Sequence, residues 1–81
     1  MILPNKHIRL SESLLGVGAF VLSHCTKPRT VDSLWYALGE AYDSGQFPAY
    51  HTFDNLLLSI AFLYSIGAIE MIDDGRVQRC V

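Results

Sequence analysis

Three histidines and two cysteines are the side chains with most chemistry to offer, as zinc ligands or as a thiol nucleophile beside an imidazole base. A structural zinc site needs donors paired at short spacing, and His7, His24, Cys25, His51 and Cys80 contain no such pair. His24 and Cys25 are neighbours, so on a helix they point about 100° apart. Cys25 falls on the inner face of a predicted helix, where a thiol serves as a small apolar core group. Gly16-Val17-Gly18 sits inside a helical pattern without a preceding strand or a nearby lysine, which does not make a phosphate-binding loop. The carboxylate pair Asp73-Asp74 belongs to a hairpin tip. The expectation is a chain that is not an enzyme and holds neither cofactor nor metal.

Binding chemistry is also sparse. Six Lys plus Arg against eight Asp plus Glu give a net charge of −2, which encodes no general attraction to nucleic acid or to an anionic membrane. Two local basic sets, Lys27 with Arg29 and Arg76 with Arg79, could touch phosphate without reading sequence. Trp35 and Tyr42 fall on the predicted core face of a helix, leaving Tyr36 and Tyr50 as the exposed aromatics. No charge occurs between Asn55 and Glu70, yet that segment is shorter than the ~20 residues a membrane span needs and contains Ser59, Ser65 and Gly67. The cysteine usage and the lack of a signal-like leader predict a reducing cytoplasm.

The elements that position these residues are legible from punctuation. The first ten residues, with Pro4 after Leu3, read as an extended arm or short strand against a single domain spanning 1–81. Ser11 or Ser13 then caps a first helix carrying Leu14, Leu15, Val17, Val21, Leu22 and Cys25 on a broad apolar face, and Gly16 and Gly18 suggest close approach of another backbone. Lys27-Pro28-Arg29 is a connector and Thr30 an N-cap. The second helix places Val31, Leu34, Trp35, Leu38, Ala41 and Tyr42 inward and ends at Asp43-Ser44-Gly45. After a loop, Thr52 caps a third helix that Gly67 terminates. A hairpin follows, turning at Asp73, Asp74 and Gly75. A two-residue loop there pairs Glu70 with Arg79, whereas a three-residue loop shifts the register.

The third helix has more apolar surface than a core needs. Phe53, Leu56, Leu57, Ile60, Leu63 and Tyr64 gather into one arc, the predicted core face. Leu58, Phe62 and Ile66 line up on the opposite side at i, i+4, i+8, with Asn55 and Ser59 among the few polar residues beside them. An 81-residue chain buries only roughly 60% of its unfolded surface, and its charged share of 17% falls short of the usual ~25%. The second stripe therefore predicts a partner surface comprising Leu58, Phe62, Ile66, Asn55 and Ser59.

Three helices and a terminal hairpin give an α+β, mainly helical fold, a winged helix-turn-helix with the hairpin as wing. In that architecture the third helix enters the DNA major groove with Arg, Lys, Asn or Gln on its outer side. This one offers leucine, phenylalanine and isoleucine. A DNA-binding regulator acting as a homodimer, with the wing arginines on phosphate, is the alternative reading, and it predicts steep salt dependence. A homodimer is compatible with either reading.

Leu3-Pro4-Asn5-Lys6-His7-Ile8 and Ser13-Leu14-Leu15-Gly16-Val17-Gly18-Ala19 resemble the small middle component of bacterial ABC-ATPase three-component systems, the group to which Lamassu-type anti-phage defence belongs. The similarity continues through Arg29-Thr30-Val31, Leu34-Trp35, Thr52-Phe53, Leu63-Tyr64-Ser65-Ile66-Gly67-Ala68-Ile69-Glu70 and Asp74-Gly75-Arg76. It spans nearly the whole chain, and none of its motifs is catalytic. The resemblance implies a non-enzymatic adaptor or scaffold of a bacterial defence complex. Its partners would be an SMC-like ABC ATPase, which engages DNA, and an effector, often a nuclease, held in check until phage or plasmid DNA is sensed. The family supplies no binding motif at residue level, so the stripe on the third helix stands on its own spacing.

Overall fold

The structure, a computed structural model, describes residues 3–47, 51–73 and 75–80, with the backbone alone described over 3–13. Six elements follow in the order α1 (Leu3–His24), β1 (Arg29–Thr30), α2 (Val31–Asp43), α3 (Phe53–Ser65), β2 (Ile69–Met71) and β3 (Arg76–Arg79). The strands form one antiparallel sheet in the order β1-β3-β2. Three helices with a β2–β3 wing, braced by a short strand between the first two helices, make a winged-helix layout.

The extended arm expected over residues 1–10 is corrected, since α1 is helical from Leu3 onward. Pro4 occupies the first turn, where its missing N–H has no intrahelical acceptor to lose and its fixed φ suits the helix. Ser11 and Ser13 are thus interior to α1, not at its start.

The other helix ends follow their punctuation. Thr30 is extended and its hydroxyl accepts from the Ser33 N–H at 3.0 Å, while the Ser33 hydroxyl donates back to the Thr30 carbonyl. At the far end of α2 the Gly45 N–H donates to Tyr42 and the Gln46 N–H to Ala41, with Gly45 at φ +84°. The same paired pattern closes α3, where Gly67 sits at φ +79° and the Ala68 N–H reaches the Leu63 carbonyl at 2.8 Å. Both are Schellman endings, which need a left-handed residue that glycine adopts without a Cβ clash.

The core draws from every layer: Val17, Val21 and Cys25 of α1 and its end, Leu34 and Leu38 of α2, Leu56, Ile60 and Leu63 of α3, Ile69 of β2 and Val77 of β3. Full burial of one such aliphatic side chain stabilises by about 1.5–3 kcal/mol. Burial pushes the Cys25 thiol pKa up, with the Arg29 charge pulling it the other way. Trp35 and Tyr42, expected inside, stand half-exposed at the rim, where Trp35 meets the Phe53 ring edge-on at 5.4 Å and Tyr42 meets His51 at 5.1 Å. Leu15 is likewise outside. A Cβ on Gly16 would meet the Phe47 ring at 3.4 Å, so the close approach there comes from a side chain and not from a second backbone. Gly18 has no such neighbour.

The wing takes the longer loop. Ile69 pairs with Arg79, Glu70 with Gln78 and Met71 with Val77, and the Ile72 N–H reaches the Arg76 carbonyl at 2.9 Å. The Glu70–Arg79 pairing of a two-residue turn therefore does not occur, and the expectation for Asp74 lies outside the described residues. The Arg79 N–H donates to the carbonyl of Cys25, just past α1, and the Cys80 N–H to that of Ala68, just before β2, both at 2.8 Å.

Candidate protein-docking face on the third helix

Capping and burial together set how α3 lies on the body. Thr52 and Asn55 form a reciprocal capping box: the Asn55 N–H donates to the Thr52 hydroxyl at 3.1 Å, and the Thr52 N–H donates to Asn55 Oδ1 at 3.0 Å. The Thr52 hydroxyl also donates to that oxygen at 2.9 Å. One turn on, the Ser59 hydroxyl donates to the Leu14 carbonyl of α1 at 3.2 Å. With their polar groups satisfied in this way, Asn55 and Ser59 are tolerated inside, at 7% and 3% exposure.

That placement corrects two of the residues expected on the partner stripe. Asn55 and Ser59 face the interior, beside Leu56, Ile60 and Leu63. The rotation turns Phe53, Leu57 and Tyr64, expected in the core, outward. The outer half of α3 is consequently broader than the sequence suggests.

Leu58, Phe62 and Ile66 are 55%, 60% and 60% exposed, as their spacing predicts. They form one ridge along the outer half. Leu57 and Tyr64 form a second, and between the two runs a shallow valley containing Ala61 and Ser65. The Ser65 hydroxyl folds back onto the Phe62 carbonyl at 2.8 Å, which turns its donor into the helix. Asp54, in the first turn, is the single charge on α3. A face of this kind offers van der Waals and apolar contact and almost no directional polar chemistry.

Two of the basic residues expected at phosphate, Arg29 and Arg76, are held by neighbouring groups. Arg29 is engaged by its own surroundings, with Nε donating to Ser33 Oγ at 2.9 Å and the guanidinium NH2 groups to the His24 and Ser33 carbonyls, both at 3.3 Å. Arg76 makes an ion pair with Asp73 at 2.6 Å, which holds the Asp73 carboxyl below the usual carboxylate range. Lys27 is exposed, and Arg79 is half-buried in β3. His24 stacks on Phe20 with ring centroids 4.0 Å apart while Cys25 points into the core. Among the described residues no three His, Cys, Asp or Glu side chains come together to hold a metal, and no helix is long and apolar enough to cross a membrane. The expectations for the His7 side chain and for Tyr50 lie outside the described residues.

The rotation of α3 had one signal in the sequence. Thr52-x-x-Asn55 is a capping-box spacing, which ties the residue three positions after the cap to the helix start. The Ser59 contact depends on the packing of α1 and has no local signature.

No curated protein and no solved structure matched this chain. Among protein families, residues 3–80 match the one described as ABC-three component (ABC-3C) system Middle Component 6. That match covers nearly all of the sequence, and the chain belongs to this family of middle components.

Proposed function

We propose that this chain is a non-catalytic adaptor that joins the other components of its system by docking them on the outer face of α3. The observation that carries the reading is the exposed apolar half of that helix, where Leu58, Phe62 and Ile66 stand more than half exposed. A second protein would remove this surface from water at little desolvation cost, because Asp54 is the one charge to be accommodated. The partners proposed are an SMC-like ABC ATPase and an effector encoded in the same operon, in a cytoplasmic defence complex.

DNA readout through α3 is disfavoured by the same geometry. With Asn55 inside the molecule, the outer half of the helix offers Asp54, Ser65 and the Tyr64 hydroxyl as its polar groups and no Arg, Lys, Asn or Gln, and a carboxylate facing phosphate is unfavourable. DNA engagement in the assembly then falls to the ATPase.

Co-purification from the native operon tests the proposal. Wild type should bring down the ATPase or the effector. A variant carrying Leu58→Asp and Phe62→Asp should fold, because both side chains lie outside the core, and should bring down neither. Equal capture by the folded variant would remove α3 as the docking face, and salt-sensitive DNA binding by the lone subunit would favour the regulator instead.

A further inference from the structure

We infer that in the isolated subunit the outer face of α3 is covered by the same face of a second copy, the two helices crossing antiparallel about a twofold axis near Ala61. This rests on the reading of that face as an interface, and adds what occupies it when no other component is present.

The first argument is area. Phe53, Leu57, Leu58, Phe62, Tyr64 and Ile66 are each between two-fifths and three-fifths exposed. At about 200 Å² for a fully exposed side chain of this size, they present on the order of 600 Å². With the intervening Ala61 and the polar margin, that approaches the ≈ 800 Å² each partner contributes to a standard interface. A chain this small and this poor in charge gains disproportionately from covering such a surface.

The second argument is self-compatibility. An isologous contact places each residue against its own symmetry partners, so a charge near the centre would meet itself. The centre here is Ala61, which is small and uncharged, and it lies midway along the exposed half. The valley it shares with Ser65 admits a ridge of the other copy, which lets helix axes approach to the usual ~8–10 Å. Asp54 fixes the direction. Antiparallel crossing at Ala61 puts the two Asp54 carboxylates at opposite ends, roughly 20 Å apart along the axis at 1.5 Å per residue and beyond the ~8 Å screening length. A parallel pair would set them side by side and align the helix dipoles unfavourably.

Sedimentation equilibrium on the purified chain, from low micromolar to near-millimolar, tests this. Wild type should approach a dimer, and Ala61→Arg, which introduces an unpaired charge at the axis, should weaken association by roughly 100-fold or more. In a Cys80→Ser background, Ala61→Cys should be joined into dimers by a short bismaleimide, whereas Leu15→Cys, also exposed but on α1, should not. A wild type that stays monomeric throughout overturns the inference, as does a dimer indifferent to Ala61→Arg or one in which the Leu15 position cross-links equally. Co-purification separates this from the adaptor reading. A monomeric subunit that still captures the ATPase sinks the homodimer alone, and a dimeric subunit that captures neither component sinks the adaptor alone.

Discussion

Replacing Asn55 by alanine should weaken the fold and leave the docking chemistry alone, because its side chain works within α3. The substitution removes the Oδ1 acceptor that takes both the N–H and the hydroxyl of Thr52, at 3.0 Å and 2.9 Å. The Asn55 N–H keeps its own bond to the Thr52 hydroxyl. Two lost hydrogen bonds at about 1 kcal/mol each, with a half-buried N–H left without its acceptor, outweigh the ~0.5–0.7 kcal/mol that alanine returns in helix propensity. The net expectation is a loss of about 1–2 kcal/mol, which lowers Tm by roughly 5–15 °C for a domain of this size. Asn55→Asp retains the acceptor at a helix N-terminus that favours negative charge, and should recover most of the loss. Thermal and urea unfolding by circular dichroism would read all three chains. If Asn55→Ala unfolds within about 0.5 kcal/mol of wild type yet loses its partner, Asn55 belongs on the surface after all and the rotation described for α3 is wrong.

Gly67→Ala should cost roughly 1 kcal/mol, because φ +79° is strained for any residue with a Cβ, while Gly18→Ala, with open space around its Cβ, should gain up to about 1 kcal/mol. Chemical denaturation of the two variants checks the opposite signs. A maleimide should modify exposed Cys80 rapidly in the native chain and buried Cys25 only on unfolding, as mass spectrometry of the labelled protein would show. The hydrogen bond from Arg76 holds the Asp73 carboxyl below its ordinary pKa, so whatever this pair contributes is present above the unfolded carboxylate pKa and is lost as pH falls through the folded one. Asp73→Asn should therefore flatten the acid side of a stability–pH curve at low salt, with little change at high salt because both groups are exposed.

The parts of the fold that local chemistry dictates were legible. Thr30, Thr52, Gly45 and Gly67 each mark a helix end where the residue type alone satisfies orphan backbone groups, and the Leu58–Phe62–Ile66 stripe is a matter of spacing. The parts that depend on tertiary context were not. Pro4 reads as a breaker unless the helix is known to begin one residue earlier, in which case it is harmless. β1 is two residues long and exists because Arg29 and Thr30 find Val77 and Arg76 across the sheet, a pairing without periodicity to reveal it. Hairpin register turned on one residue of loop length, to which Asp74-Gly75 is indifferent. On the wheel of α3, polarity is a poor proxy for exposure. Asn55 and Ser59 are polar but internally bonded, so Phe53, Leu57 and Tyr64 lie outward, and the exposed apolar face is wider than its first stripe.

The adaptor account is tested most directly by the affinity of the purified subunit for the purified ATPase of its operon, measured for wild type and for the Leu58→Asp, Phe62→Asp variant under identical salt. The account predicts saturable binding by wild type and a loss of roughly 100-fold or more in the variant, since two carboxylates would be buried unpaired against apolar surface. Affinities equal within a few-fold, with both chains folded, would contradict it.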